Sequence, residues 1–257
     1  MPPEPGRVLL VGAGPGPADL LTLRAARAIE SAQAVLYDAL ISAEVLALAP
    51  AACLKIQTGK RGGRASMAQS TINRLMLRLA RRGLNVVRLK GGDPSIFGRV
   101  GEETAFLNAH GIATEVVPGV TAASAAAAQF DFPLTHRGLA RRLVFATGSV
   151  ASGAAGFEAS ALADPQATLA IYMGAGAAAE LSRALIGAGR APSTPALVIE
   201  SVGAPEAVAR ACTLAGLETA AGQCGDGPVL MVVGEVVAQA GVRGVLLPLR
   251  EKVAREA

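Results

Sequence analysis

Tryptophan is absent from this 257-residue chain, and with two Tyr and six Phe the aromatic share is only 3%. Proteins that bind single-stranded nucleic acid interleave cations with stacking aromatics, so this supply argues against nucleic acid as the partner. Cysteine is equally scarce. Cys53, Cys212 and Cys224 are too few and too scattered for a disulfide framework or a zinc cluster. The two histidines, His110 and His136, stand far apart and carry no metal-ligand spacing. No apolar run approaches the roughly 18 residues that a membrane helix needs. The opening Met-Pro-Pro-Glu-Pro-Gly lacks the basic and apolar regions of a secretory signal. Charged residues make up 17% against 51% hydrophobic, too apolar a balance for a disordered chain. The expectation is a cytoplasmic, globular protein with reduced thiols, no metal and no membrane association.

What is abundant is small. The chain has 54 Ala and 30 Gly, about a third of its length. The net charge is +4 and the isoelectric point about 9.3, a mild excess that suits an acidic small molecule.

The local pattern alternates strand and helix. Arg7 to Gly12 reads as a buried strand that stops at glycine, a helix starts near Asp19 as its cap, and Ala34–Tyr37 reads as a second strand. Between Met67 and Arg82, Ile72, Leu75, Met76 and Leu79 form one apolar helical stripe. Strands follow at 85–89 and 115–117, with a helix over 101–110 and an alanine-rich helix over 121–129. Beyond Arg137 come strands at 143–147, 168–172, 196–200 and 229–233 and a helix near 177–188. Both halves are therefore α/β, with domains at 1–137 and 138–257 and a ligand expected in the cleft between two lobes or at strand C-terminal ends.

Three strand-to-helix loops are rich in glycine: Gly12-Ala-Gly-Pro-Gly16, Lys90-Gly-Gly-Asp-Pro94 and Val117-Pro-Gly-Val-Thr121. Such loops let a ligand approach bare backbone. The first departs from the dinucleotide fingerprint G-x-G-x-x-G, and its two prolines remove N–H donors that a pyrophosphate would use. Asp38 after the second strand superficially fits that fingerprint, so a nicotinamide or flavin oxidoreductase stays as an alternative, with a non-catalytic polyanion-binding module as another. Hydrolase motifs are missing: there is no G-x-S-x-G elbow and no credible Ser-His-Asp set. The polar groups that follow strands are Asp38, Lys60, Arg61, Arg99, Glu102, Glu103, His136 and Arg137, a supply that suits a substrate with several carboxylates.

Several motifs, in order, carry a family resemblance. They are Val11-Gly-Ala-Gly-Pro-Gly16, Tyr37-Asp-Ala-Leu-Ile-Ser42, Gly59-Lys-Arg-Gly-Gly63, Val86-Val-Arg-Leu-Lys-Gly-Gly-Asp-Pro94, Ile96-Phe-Gly-Arg99, Gly101-Glu-Glu103, Val116-Val-Pro-Gly119, Pro133-Leu-Thr-His-Arg137 and Tyr172-Met-Gly174. From about Arg7 to Val237 the chain resembles the S-adenosylmethionine-dependent tetrapyrrole methylases, and among them the uroporphyrinogen-III C-methyltransferases. The resemblance implies two α/β lobes flanking a cleft, the tetrapyrrole methylase fold rather than the Rossmann-like methyltransferase fold, and a homodimer. It implies cofactor contacts at Pro15, Gly91, Gly92, Asp93, Ile96, Thr121, Ala122, Met173 and Val202. It implies catalytic roles for Asp38, Lys60 and Arg99 and substrate contacts from Arg99, Glu102, Arg137 and Met173. The implied reaction methylates uroporphyrinogen III at C2 and C7, giving precorrin-2 through precorrin-1 and releasing S-adenosylhomocysteine, for cobalamin or sirohaem synthesis. A sister precorrin methyltransferase acting on a later corrinoid is the nearest rival. No added dehydrogenase–ferrochelatase segment accompanies the motifs, which argues against a fused sirohaem synthase. The chain departs from the family pattern at Pro17, Ser95, Val100 and Val202.

Overall fold

The structure, a computed structural model, describes residues 4–59, 67–148 and 162–241 and a final short strand at 245–246. It divides into two units, Met1–Ala122 and Ala123–Ala257, so residues 123–137 group with the second.

The first unit is built on five strands: β1 (Val8–Gly12), β2 (Ala34–Tyr37), β3 (Leu54–Gln57), β4 (Val86–Lys90) and β5 (Thr114–Val117). They run in the order β3-β2-β4-β1-β5, and every pair is parallel. Central strands of a parallel sheet are covered on both faces, which is why β1 reads Val-Leu-Leu-Val-Gly and is buried throughout. Alternate side chains serve opposite faces. Leu9, Val11, Val35, Val87 and Leu89 pack with Ala25 and Ile29 of α1 (Leu23–Glu30) and Val45 of α2 (Ala43–Ala47). On the other face Val8, Ala34, Leu36 and Val86 pack with Ile72 and Met76 of α3 (Gln69–Ala80) and Leu107 of α4 (Val100–Ala109).

The expected helix start at Asp19 is corrected. Asp19 lies in a single 3-10 turn, Ala18–Leu20, and Thr22 caps α1 by accepting from the Ala25 N–H at 3.1 Å. Thr22 supplies the side-chain oxygen at the right offset from the first free donors, which Asp19 does not. His110 closes α4 as its C-cap, exposed, with Nδ1 2.8 Å from the Phe106 carbonyl.

The second unit opens with α5 (Ala122–Gln129), whose alanines at 123, 125 and 126 are buried. Its six strands are β6 (Arg142–Thr147), β7 (Ala167–Tyr172), β8 (Pro195–Glu200), β9 (Val208–Thr213), β10 (Val229–Val233) and β11 (Val245–Leu246). The order is β11-β9-β8-β10-β7-β6; β6 with β7 and β11 with β9 are parallel, and the other pairs antiparallel. Leu181 and Leu185 of α6 (Ala178–Gly187) and Leu217 of α7 (Leu217–Ala221) cover it with Leu169, Ile171, Val198 and Met231. Arg190 is buried just beyond α6 and donates to the carbonyls of Leu162, Ala167 and Val233, latching β7 to β10.

Candidate functional site

Because all five strands of the first unit are parallel, their C-terminal ends share one edge. The loops after β1, β2, β3, β4 and β5 all leave from it, the edge where open α/β sheets bind ligands. Three of those loops are fused through backbone. The Ala13 N–H donates to the Lys90 carbonyl at 2.8 Å. Gly14 donates to Gly92 at 3.2 Å and Gly92 donates back at 2.7 Å. A Cβ on Gly12 would stand 2.6 Å from the Gly119 nitrogen and 2.7 Å from the Gly92 oxygen, and one on Gly119 would collide with that same oxygen. The glycines at 12 and 119 are thus required by backbone against backbone, β1 loop to β5 loop.

Asp93 completes the fusion. Its Oδ2 accepts from the Gly119 N–H at 3.0 Å and its Oδ1 from the Ser95 N–H at 2.7 Å. The carboxylate expected at the cofactor therefore ties the β4 loop to the β5 loop. Ser42 does the same for the next pair, donating to the Gly16 carbonyl at 2.8 Å while capping α2. Pro15, Gly92, Asp93, Ile96, Thr121 and Ala122 are half-buried along this frame and Gly91 is exposed. Thr121 Cα lies 3.8 Å from where a Gly92 Cβ would stand. Phe97 and Arg99 both hold left-handed backbone, with φ of 53° and 57°. Such conformations cost on the order of 1–3 kcal/mol and gather at functional loops.

Asp38 follows β2 at the same edge, its side chain about one-third exposed. Oδ1 receives Arg88 Nη2 at 2.6 Å and Thr58 Oγ1 at 3.3 Å. Arg88 is buried on β4, and its Nε meets Glu103 Oε1 at 3.1 Å. Glu103, on α4 and 0% exposed, also receives Lys90 Nζ at 3.1 Å and Gln69 Nε2 at 3.0 Å. Burial, with Arg88 beside it, pushes the Lys90 ammonium down from its ordinary value, while Glu103 and Asp38 oppose that shift.

Arg99 and Glu102 form an exposed two-point pair at 2.8 and 2.7 Å. That hydrogen bond raises the Arg99 guanidinium and lowers the Glu102 carboxyl from their ordinary values. Lys60 lies outside the described residues. The remaining expected residues belong to the second unit. Arg137 is exposed in a turn closed by reciprocal His136–Ala140 bonds at 2.9 and 3.0 Å. Met173, 56% exposed with φ of 52°, follows β7. Val202 is buried after β8, in a loop held by Gln129, which accepts from the Gly203 N–H at 2.9 Å and donates to the Ala204 carbonyl at 3.3 Å.

The sequence pattern places Glu103 among the polar groups after strands but gives the substrate role to its neighbour Glu102, and it leaves Arg88 and Lys90 without a role. A signal was present. Two cations spaced i, i+2 within a central apolar strand share one buried face and demand a buried acid. Among the described residues no group of His, Cys, Asp and Glu has the makings of a metal site, and no helix is long and apolar enough to cross a membrane.

A parallel α/β unit with fused glycine loops at one sheet edge, followed by a mixed α/β unit, defines the architecture. Residues 7–218 match the family model of the Tetrapyrrole (Corrin/Porphyrin) Methylases, and the chain belongs to that family. It is 47% identical over 237 residues to the uroporphyrinogen-III C-methyltransferase of Paracoccus denitrificans, covering 91% of this chain and 83% of that one. It is also 47% identical over 233 residues to the siroheme synthase of Chromobacterium violaceum, of which it spans 50%. The chain thus spans about half the length of the curated siroheme synthases it matches. Among solved structures, uroporphyrin-III C-methyl transferase from Thermus thermophilus complexed with S-adenyl homocysteine has a TM-score of 0.78 at 42% identity, covering 91% of this chain and 99% of that one. The fold is the tetrapyrrole methylase fold, not the Rossmann-like methyltransferase fold.

Proposed function

We propose that this chain methylates uroporphyrinogen III at C2 and C7, giving precorrin-2 through precorrin-1 with S-adenosylmethionine as methyl donor. The observation that carries the reading is the fused loop frame, with Asp38 on the adjoining strand end of the same sheet edge. The likeness to the Paracoccus enzyme over 83% of its length supports the choice of substrate. The names of the siroheme synthases favour sirohaem as one destination of the product, with cobalamin beside it. A cytoplasmic homodimer is part of the same proposal.

The residues on the frame fit such a donor. A Cβ on Gly91 would meet only Leu40, at 3.6 Å, and one on Gly92 would find no atom nearer than 3.8 Å. A Cβ would thus stand in ordinary van der Waals contact at either position, so these two peptide units carry no side chain but are not crowded by backbone. When bound, S-adenosylmethionine supplies a methyl group on a positively charged sulfur, and no metal is required. Pro15, Gly91, Gly92, Asp93, Ile96, Thr121 and Ala122 hold it, with Met173 and Val202 assigned the same role by the family resemblance. The chain's task is orientation. A reduced pyrrole carbon is electron-rich, and holding it in line with the methyl forms the C–C bond as the S–C bond breaks. Alignment of this kind is worth up to roughly 7–11 kcal/mol in favourable cases. The ring then loses a proton, and Asp38 accepts it, with Lys60 and Arg99 stabilising charge. Arg99, Glu102, Arg137 and Met173 contact the substrate; the two arginines clamp its carboxylates.

Incubation with uroporphyrinogen III and S-adenosylmethionine tests the reading. The expected product has gained two methyl groups. No gain contradicts it, and methylation only of a later corrinoid transfers the assignment to a sister enzyme.

A further inference from the structure

Arg88 and Lys90 are out of place as residues. They sit on the central strand β4, 3% and 5% exposed, on the face that carries Val86. Removing two cations from water is costly unless they are paired, and even a paired set adds little stability over an apolar core of the same shape. Stability alone gives no reason for them. Their geometry does. All three nitrogens of the Arg88 guanidinium are engaged: Nε with Glu103 at 3.1 Å, Nη1 with the Leu89 carbonyl at 3.2 Å and Nη2 with Asp38 Oδ1 at 2.6 Å. A planar group held at three points has one orientation. It meets the one member of the set that reaches solvent, Asp38, and it meets only one of its oxygens. Oδ1 takes both Arg88 and Thr58, and Oδ2 takes no hydrogen bond from any described residue.

We propose that Arg88 is a positioning residue for Asp38, and that Glu103 is the buried counter-charge that fixes Arg88. The inference rests on Asp38 as the proton acceptor proposed above. Arg88 pins Oδ1 and leaves Oδ2 to receive the proton lost by the ring. Glu103 has two duties. Its Oε1 accepts from Arg88 and from Gln69, which itself reaches Asn73 Oδ1 at 3.0 Å, and its Oε2 accepts from Lys90. With two acids and two bases the set is neutral, so removing either end changes the charge felt at Asp38. The desolvation of Lys90, opposed by Glu103, is the electrostatic counterpart of that balance. The charged groups tied to Asp38 among the described residues are Arg88 and Lys90 of β4 and Glu103 of α4. From β3's end comes the neutral Thr58, and from α3 the neutral Gln69 and Asn73.

Two substitutions push in opposite directions. Arg88→Gln removes the cation beside the base, so the acid limb of the kcat profile moves to higher pH. Glu103→Gln keeps shape and removes an anion, so Arg88 and Lys90 act on Asp38 uncompensated and the limb moves to lower pH. In both, kcat at neutral pH falls by about tenfold or more because orientation of the base is lost. S-adenosylhomocysteine affinity, measured by calorimetry, stays unchanged and shows that each variant is folded. Arg88→Lys restores the cation without the three-point geometry; its limb returns toward wild type while kcat recovers only in part. Should Arg88→Gln fail to fold, Glu103→Gln carries the test. Limbs that stay put, or move the same way, with ligand affinity intact overturn the positioning role. An Asp38→Asn variant with kcat close to wild type overturns instead the assignment of Asp38 on which it rests.

Discussion

Asp93 accepts two backbone N–H groups from two loops, so its removal acts on the frame before it acts on any ligand. Asp93→Ala is expected to weaken S-adenosylhomocysteine binding and also to lower the unfolding free energy, by about 1–3 kcal/mol for the unsatisfied Gly119 and Ser95 donors. Titration calorimetry and urea unfolding read the two effects. A loss of affinity with unchanged stability would return Asp93 to a purely ligand-contacting role. Arg137 differs, since its side chain is exposed in a short turn. Arg137→Ala should raise the substrate KM by roughly 10- to 100-fold, the worth of one charge-assisted bond, and leave cofactor affinity unchanged. Equal losses in both would count against a carboxylate clamp. Cys212 belongs to neither group. Burial pushes its thiol up to about 11. At pH 8 its thiolate fraction is about a hundredfold below that of an ordinary thiol, so alkylation by iodoacetamide should be correspondingly slow. Between the ordinary thiol value and about 11 the unfolded chain sheds this proton and the folded chain keeps it, so this group's contribution to stability falls as pH rises through that window.

At the scale of elements, β4 and the loops beside it carry most of the account. Gly119→Ala would drive a methyl group into the Gly92 carbonyl and part the β4 and β5 loops. A destabilisation of about 1–3 kcal/mol is expected, with a matching shift in urea midpoint; a variant as stable as wild type would show that the loops are not fused in solution. The strands that the sequence made visible are the mostly buried β1, β2, β4, β7, β8 and β10, whose apolar runs announce them, and the more open β5 and β6, read from Glu115-Val-Val117 and Leu143–Thr147. Those it hid include β3 and β9, and the two-residue β11. Leu54-Lys-Ile-Gln57 is an edge strand with exposed and half-exposed side chains, and Val208–Thr213 mixes small and polar residues. Their assignment comes from pairing with β2 and β8, which no local pattern announces. The same physics explains the site. Glycine loops after strands are local and legible, whereas the pairing of Glu103 with Arg88 and Lys90 joins α4 to β4 across the sheet face and appears only in three dimensions.

At the scale of the whole molecule, a parallel unit and a mixed unit carry motifs in the order shared by tetrapyrrole methylases, and residues 7–218 match that family. The low aromatic content fits this outcome, because the frame presents backbone and small side chains rather than stacking rings. The net charge of +4 is too small to select a partner. The chain covers about half of the siroheme synthases it matches and most of the Paracoccus methyltransferase. The most direct measurement is anaerobic turnover of uroporphyrinogen III with S-adenosylmethionine, followed by mass and absorption spectra of the product. The expected product is a tetrapyrrole that has gained two methyl groups, with two equivalents of S-adenosylhomocysteine released. An unmodified tetrapyrrole, from protein that binds S-adenosylhomocysteine normally, would contradict it.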